Sequence, residues 1–281
     1  MLGPFFMGPI LLHRGKQIMP RNNRLGDVKS SEPARILPTE LTFDAFVLQG
    51  GQKIKTIKVS KNKDFIVAGS RCDSLYVDRD GWLFRYKILR NGRRQILNFI
   101  LPGEIFGLQA CLYKSSLYSV ATITDVLVSA IPANLIDNIF ERSPAASKAL
   151  FWAAVCESAV LGEHLIDAAR RSAYERISHF LLELFARLNR VNMTDEWSFR
   201  LPLTQELIGD ALGLTTIHVN RTLRSLRQDK LIAIDGKLVT ILDFEALSLL
   251  SDFENSYLAK SIDAPRSGAS VPNSDWRSRR N

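Results

Sequence analysis

The chain has 281 residues, of which 46% are hydrophobic and 23% charged, and its net charge is +8. This composition is that of a soluble globular protein with room for two modest domains, and no run of about 18 uncharged apolar residues predicts a membrane span. The basic balance permits an anionic partner but does not identify one.

The first 40 residues are predicted to form a disordered leader, because they show no sustained period and are rich in Pro, Arg and Asn. Their apolar start is interrupted by Pro4 and Pro9. Its positive charges follow the apolar run, which reverses the order found in a secretory signal. Met7 and Met19 are alternative starts. We therefore expect a cytoplasmic protein.

Short segments between residues 53 and 131 alternate apolar and polar side chains, as strands with one buried face do. The dipeptides Asp80-Gly81 and Asn91-Gly92 are tight-turn signals between such segments. Strands at spacings of roughly ten residues, joined by tight turns, predict a β-sandwich or a barrel-like roll.

A long helix is predicted over residues 144–170, after a short helix that follows Pro132. Pro144 lies where its first turn begins, a position that tolerates proline. Apolar or small residues follow two sides of the helix, and one stripe consists of Phe151, Val155, Ser158, Gly162 and Leu165. Small residues allow a second helix to approach closely, so we expect a dimer helix. A core helix in a monomer is the alternative.

Residues 171–255 are predicted to form a second domain, which begins with a helix over residues 172–188. Ser172 and Glu175 have the spacing of a capping box at its start. This domain holds 10 Lys and Arg against 12 Asp and Glu, a net charge of −2. Any contact with a nucleic acid must therefore use a local basic face.

A helix-turn-helix pattern follows within this domain. Thr204 is predicted to cap a helix over residues 205–212, which Gly213 ends. Thr215 is predicted to cap a second helix over residues 216–229.

Two glycines near these helices carry further predictions. Gly209 lies inside the first helix, where glycine costs roughly 1 kcal/mol relative to alanine. We expect the second helix to cross closely over it. Asp235-Gly236 predicts a tight hairpin after the second helix, which would form a wing.

The polar side of the second helix carries the candidate DNA-reading residues. Val219, Leu223 and Leu226 would hold the helix to the domain, so the opposite side would enter a major groove. Arg221 has the donors for guanine O6 and N7, and Asn220 suits adenine. The other predicted DNA contacts are Thr204, Gln205, Thr215, Thr216, Arg224, Arg227 and, near the hairpin tip, Lys237. For the arginines, the alternative to DNA contact is a solvated helix face. We interpret His218 as a spacer or as a partly buried imidazole.

Cysteines and histidines give no catalytic or metal pattern. Cys72, Cys111 and Cys156 are far apart, and their spacing predicts neither a disulfide framework nor a metal cluster. We interpret them as small half-buried apolar residues, with a redox-sensing thiol as the alternative. The four histidines have no local nucleophile or metal partners, and no phosphate-cradling glycine loop occurs. The sequence therefore predicts no catalytic residue, no metal and no cofactor.

These features together resemble the Crp/Fnr family of bacterial transcription regulators, over about residues 50–255. "LTQELIGDALGLTTIHVNRTLRSLRQDKLIAIDGKLVTILD" is similar to the family's winged helix-turn-helix, and "LPGEIFGL" (101–108) is similar to the glycine-bearing turn of its sensor. The resemblance implies an α+β fold with three parts, which are a β-roll sensor like a cyclic-nucleotide-binding jelly roll (41–143), a long dimerisation helix (144–170) and a winged helix-turn-helix (171–255). The disordered leader (1–40) precedes them, and the basic residues after 255 are predicted to form a disordered tail (256–281).

The resemblance also implies partners. It implies a homodimer on a near-palindromic double-stranded DNA site, contact with RNA polymerase, and control by an unidentified signal or small-molecule effector. No membrane partner is implied.

The chain departs from the family pattern at its ligand sites. Members that bind cyclic nucleotides have a glutamate after the second glycine of the sensor turn and an Arg-Ser pair beyond it. Here Leu108 follows Gly107, and Lys114 is the only nearby cation for a phosphodiester. Members with an oxygen-sensing iron–sulfur cluster carry an N-terminal cysteine cluster, whereas residues 1–71 contain no cysteine. The sequence therefore argues against both ligands.

The second helix of the helix-turn-helix (residues 216–229), called the reading helix below, departs from the family pattern as well. Ile217 stands where many members place a glutamate that accepts from cytosine, so we expect a DNA half-site unlike the commonest one. Two other functions stay open from the residues alone. One is a ligand-sensing signalling adaptor whose helical half binds protein, which the net charge of −2 favours. The other is an enzyme, which no motif supports.

Overall fold

The fold begins with a β-domain of two four-stranded antiparallel sheets. A computed structural model describes residues 54–113 and 115–258, so the predicted leader, Lys114 and the chain beyond Leu258 lie outside the described residues. The strands are β1 (Lys55–Val59), β2 (Asp64–Ile66), β3 (Ser74–Asp80), β4 (Leu83–Ile88), β5 (Arg94–Ile100), β6 (Ile105–Phe106), β7 (Ser119–Thr122) and β8 (Val126–Pro132). Their order is β1-β8-β3-β6 in one sheet and β2-β7-β4-β5 in the other. The predicted roll of short strands is confirmed.

The two predicted turns of this domain have different roles. Asn91-Gly92 joins β4 to β5 as a hairpin, with φ +79 at Gly92. Asp80-Gly81 instead carries the chain between sheets, because β3 pairs with β6 and β8 whereas β4 pairs with β5 and β7. A Cβ at Gly81 would collide with the carbonyl oxygen of Asp125, and φ there is +104. Glycine therefore allows a close corner between the sheets.

Seven α-helices lie in the described part of the chain. They are α1 (Leu108–Tyr113), α2 (Leu135–Arg142), α3 (Pro144–Ala169), α4 (Ala173–Arg190), α5 (Gln205–Leu212), α6 (Thr216–Gln228) and α7 (Phe244–Ser251). Helix α1 was not predicted, because six residues are too few to show a helical period. A 3₁₀ helix (Asn255–Leu258) follows α7, and Leu258 is buried. Residues 256–258, which were predicted as the start of a disordered tail, belong to this 3₁₀ helix.

Side chains at the helix ends explain where α3 and α4 begin. The Ser143 hydroxyl accepts from the Ala146 amide, and Pro144 occupies the first turn of α3. The predicted capping box of α4 is present: the Ser172 hydroxyl accepts from the Glu175 amide at 3.3 Å, and the Glu175 carboxylate accepts from the Ser172 amide at 2.7 Å.

A third sheet lies in the helical domain. Its strands are β9 (Thr194–Asp195), β10 (Ser198–Arg200), β11 (Ile232–Asp235) and β12 (Leu238–Ile241), in the order β11-β12-β10-β9. The predicted hairpin at Asp235-Gly236 is confirmed by the β11–β12 register. It is not free-standing, because β12 also pairs with β10.

One hydrophobic core joins the β-domain to the helical domain. The apolar face of α4, which includes Ile177, Phe180 and Leu181, is buried in the same cluster as Ile96 and Phe99 of β5. The rings of Phe99 and Phe180 lie 5.7 Å apart. A shift of either domain would therefore disturb packing in the other.

Candidate nucleic-acid interface

Local hydrogen bonds fix the ends of α5 and α6. The Thr204 hydroxyl accepts from the Leu207 amide at 3.2 Å, and the Thr215 hydroxyl accepts from the His218 amide at 3.3 Å. Gly213 ends α5 in the left-handed conformation, with φ +66. The predicted caps and turn are confirmed.

Gly209 allows the turn to fold back onto α5. A Cβ at this position would lie 2.5 Å from the carbonyl oxygen of Leu214. The Leu214 amide donates to the Gly209 carbonyl at 3.0 Å, which holds the two segments together. The expectation that the second helix crosses over Gly209 is wrong in this detail, because the close neighbour is the backbone of the turn.

Helix α6 has one buried side and one exposed side. Val219, Leu223 and Leu226 are buried, as predicted, and Thr222 joins them. His218 is exposed, so the interpretation as a partly buried imidazole is wrong and the spacer interpretation fits. The exposed predicted DNA contacts on or beside this helix are Thr215, Thr216, Asn220, Arg221, Arg224 and Arg227. The sequence of α6 contains no Asp or Glu, so this side is positively charged.

A surface depression gathers five of the nine predicted DNA contacts. It is lined by Gln205, Thr216, Asn220, Arg221 and Arg224, together with Ile217. The Asn220 side-chain amide donates to the Gln205 side-chain oxygen at 3.3 Å, which ties α6 to the start of α5. Thr204, Thr215, Arg227 and Lys237 do not line it. Ile217 is 78% exposed there, an apolar side chain that the sequence identified only as a departure from the family.

Lys237 lies at the tip of the β11–β12 hairpin. Its side chain is exposed, and its carbonyl accepts from the Leu201 amide at 2.7 Å. That hydrogen bond anchors the tip of the hairpin to the segment that leads into α5, so the wing is held beside the helix-turn-helix.

Arg94 of the β4–β5 hairpin neutralises two acids of α5. Its Nε donates to Asp210 at 2.7 Å, and its Nη2 donates to Glu206 at 3.3 Å. The neighbouring Gln95 donates to the Ala211 carbonyl at 3.2 Å. The helical domain therefore presents a basic face although its net charge is −2. Sequence analysis missed Arg94, because its partners lie more than a hundred residues away.

A hydrogen-bonded network connects the β-domain, α3 and α4. His164 of α3 contacts the Leu97 carbonyl of β5 at 3.1 Å through Nδ1 and the Glu183 carboxylate of α4 at 3.0 Å through Nε2. Burial opposes a charged imidazole, but the charge and hydrogen bond of Glu183 outweigh it and raise the pKa of His164.

Arg187 continues this network at the centre of the molecule. It donates to Glu183 at 2.9 Å, to the Phe99 carbonyl at 2.6 Å and to Glu104 at 2.8 Å. Burial alone would raise the pKa of Glu183, but the charges of His164 and Arg187 and the His164 hydrogen bond lower it to about 2. The two domains are thus joined by buried charge pairs as well as by apolar packing.

Helix α3 leaves an apolar side uncovered. All five residues of the predicted stripe are exposed, and they are Phe151, Val155, Ser158, Gly162 and Leu165. Among the described residues, α3 is long and apolar enough by length and composition to cross a membrane, and little of it is buried. Its Glu157 and Glu163 are paired with arginines of the same chain.

A cavity of about 110 Å³ lies between the β-domain, α3 and α4. Arg85 of β4 crosses it to form an ion pair with Glu157 of α3, and its guanidinium lies 5.4 Å from the centre of the Tyr118 ring. Ser116 is buried and donates to the Tyr118 carbonyl at 2.5 Å. An internal ion pair thus occupies part of the space between the sensor and the long helix.

A β-roll packed on a helical domain with an outward basic helix is the architecture of a DNA-binding protein. The chain matches the cyclic nucleotide-binding domain over residues 56–143 and the Crp-like helix-turn-helix domain over residues 175–250. It is 31% identical over 204 residues to the nitrogen fixation regulation protein FixK of Rhizobium meliloti, which covers 72% of this chain and 89% of that protein.

Further relatives agree. The transcriptional activator protein Anr of Pseudomonas protegens is 31% identical over 175 residues, which covers 62% of this chain and 71% of that protein. The structure of FixK2 from Bradyrhizobium japonicum has a TM-score of 0.64 at 25% identity, covering 70% of this chain and 97% of that chain. A CRP family regulator from Thermus thermophilus has a TM-score of 0.58 at 21% identity, covering the same shares.

The chain belongs to the Crp/Fnr family, and it is a DNA-binding transcription regulator. The alternative of a signalling adaptor is not favoured, because the relatives are regulators and the reading helix has the exposed basic side that DNA binding needs.

Proposed function

We propose that the chain binds a specific DNA sequence as a homodimer, with one α6 in each of two successive major grooves. The observation that carries this proposal is the depression in which Asn220, Arg221 and Arg224 face solvent together with Ile217. An α-helix fits the major groove, and its N-terminal residues lie closest to the base edges.

The side chains in the depression have distinct roles. Arg221 donates to guanine O6 and N7, and Asn220 reads adenine. Ile217 contacts a thymine methyl group, because its exposed side chain has no polar atom and apolar contact is how that methyl is read. Contacts with the DNA backbone come from the remaining predicted residues, which are Thr204, Gln205, Thr215, Thr216, Arg224, Arg227 and Lys237. The hydroxyls of Thr204 and Thr215 accept from helix amides, and each keeps its proton for a phosphate oxygen.

The stripe on α3 is the dimer interface. A Cβ at Gly162 would meet no atom within 4 Å in the chain, so the backbone is open to a second helix there. Exposed Phe151 and Leu165 flank this gap on the same side of the helix. A membrane is the less suitable partner, because Glu157, Glu163 and Asp167 on the same helix form ion pairs within the protein. We accordingly place the protein in the cytoplasm.

The β-roll controls the reading helices in response to a signal. The Arg187 and His164 networks and the Arg94 contacts with α5 support a route by which this signal passes from the β-roll to the helical domain. A small-molecule effector would have to displace or reposition the Arg85–Glu157 ion pair to enter the cavity. We propose that DNA binding occurs without an added effector, because this ion pair already links the sensor to α3. Contact with RNA polymerase is part of this proposal.

Selection of sites from random duplex DNA by the purified protein, without ligand and at two salt concentrations, tests the function. We expect a two-fold symmetric site with half-sites about one helical turn apart, and affinity that falls steeply with salt. Half-sites rich in the commonest family sequence would contradict the role given to Ile217. No enrichment at either salt would contradict effector-free binding.

A further inference from the structure

The hairpin between β4 and β5 is a basic projection of the β-roll. Four of the eight residues from 87 to 94 are Lys or Arg, and no Asp or Glu occurs between residues 81 and 103. The tip is closed by a hydrogen bond from the Leu89 amide to the Arg93 carbonyl at 2.8 Å. Three cations of the hairpin are exposed, and they are Lys87, Arg90 and Arg93.

These three exposed cations have no partner in the part of the chain that the structure describes. Neither a side-chain hydrogen bond nor an ion pair within those residues involves Lys87, Arg90 or Arg93. The exposed Arg71 of the same domain, in contrast, is paired with Asp73 at 2.8 Å. Cations without a partner in the chain are available to an anion from outside it.

The fourth cation of the hairpin, Arg94, fixes where the hairpin lies. It donates to Glu206 in the first turn of α5 at 3.3 Å and to Asp210 at 2.7 Å, and its guanidinium lies 5.3 Å from the centre of the Phe84 ring. Glu206 directly follows Gln205, which lines the depression on the candidate nucleic-acid interface. The residues of the tip directly precede Arg94, so the hairpin lies beside the end of α5 that the proposed function places against DNA.

We propose that the tip of this hairpin binds DNA phosphates that flank each half-site, through Arg90 and Arg93. This inference rests on the proposed function, in which α6 enters the major groove. A duplex that passes α6 continues as a row of phosphates, and the planar guanidinium group binds phosphate with two parallel hydrogen bonds. The β-roll thus contributes directly to DNA affinity. Its contact carries no sequence information, because phosphates are the same at every base pair.

The test compares the full-length parent with a variant that carries both Arg90→Gln and Arg93→Gln. Fluorescent duplexes that contain the selected site and about one helical turn of flanking DNA on each side are titrated at several salt concentrations. We expect each protomer that loses two phosphate contacts to lower the salt slope by about two. The base preferences inside the half-sites should stay the same.

Two controls make this result specific to the hairpin. Lys55→Gln with Lys58→Gln removes the same number of exposed charges from β1, in the sheet that does not contain the hairpin, and should keep the parent slope. A duplex trimmed to the two half-sites should bind the parent and the hairpin variant equally. Urea midpoints should agree for all three proteins, because every changed side chain is exposed.

Equal salt slopes for the parent and the hairpin variant, or an equal loss in the β1 variant, would overturn the proposal. A hairpin variant that binds DNA normally but no longer recruits RNA polymerase would overturn it too, because the hairpin would then bind protein. A parent protein that selects no site would instead contradict the proposed function. The hairpin is then tested on a duplex of arbitrary sequence, which has the same phosphates, and the variant should still show the lower slope.

Discussion

Arg187 of the helical domain and Glu104 of the β-roll are joined by two hydrogen bonds. They run from Nη2 to Oε2 at 2.8 Å and from Nε to Oε1 at 3.0 Å. The same guanidinium neutralises the buried Glu183. One side chain thus holds the β-roll to α4, the first helix of the helical domain.

Replacing Arg187 by Met should lower the free energy of unfolding by about 3–5 kcal/mol, because the charged Glu183 carboxylate would remain buried without its arginine partner. Urea denaturation followed by circular dichroism measures the change. Arg190→Met on the same helix is the control and should change stability by less than about 0.5 kcal/mol, since Arg190 is exposed. Equal losses in the two variants would show that the buried network does not stabilise the fold.

Stability should depend on pH through His164. Its folded pKa is raised above 6.5, so its contribution is complete below pH 6.5 and is lost as pH rises through the folded value. His164→Gln should therefore differ most from the parent below pH 6.5, and the difference should shrink at higher pH. His218→Gln, at an exposed position on α6, serves as the control. A difference that is constant across this range would exclude the predicted linkage.

The free energy of unfolding should fall at low pH because of Glu183. Its folded pKa of about 2 lies below the ordinary value of 4.5, so its stabilisation is present above pH 4.5 and is lost as pH falls toward 2. Glu183→Gln should flatten the stability profile in that interval. Urea midpoints measured at several pH values give the profile, and an unchanged slope would contradict the assignment.

Leu165→Glu should dissociate the dimer, because it places a charge at the C-terminal end of the exposed α3 stripe, where the native side chain is 70% exposed in the single chain. Analytical ultracentrifugation measures the mass in solution. Leu249→Glu makes the same chemical change at an even more exposed position on α7, outside the stripe, and should leave the dimer intact. A parent protein that sediments as a monomer would refute the interface.

Arg221→Ala should cost about 1–3 kcal/mol at one base pair and relax specificity there, whereas Arg224→Ala should weaken all DNA sequences about equally and reduce the salt slope by about one. Titration of fluorescent duplexes with single-base changes separates the two effects. Arg142→Ala, an exposed arginine on α2, is the control for loss of general charge. Unchanged binding by Arg221→Ala would mean that α6 is placed wrongly on DNA.

Much of the helix-turn-helix domain could be predicted from the sequence, because the residues that set its helix ends act on neighbours close in the chain. Thr204 and Thr215 cap helices through amides three residues away, and Gly213 supplies the left-handed end. The strand pairing of the β-roll was less accessible. Asp80-Gly81 has the composition of a hairpin turn, yet it joins strands of different sheets, because the partner of each strand is chosen by long-range packing.

The sequence by itself determined the helix ends, the two faces of α6 and the family, since each depends on residues within a few positions or on a recognisable order of motifs. The tertiary structure alone decided that Arg94 neutralises Asp210 and that Arg187 binds Glu104. Such contacts depend on where the chain returns after many residues. A charge in the sequence does not specify which distant partner the folded core will place beside it.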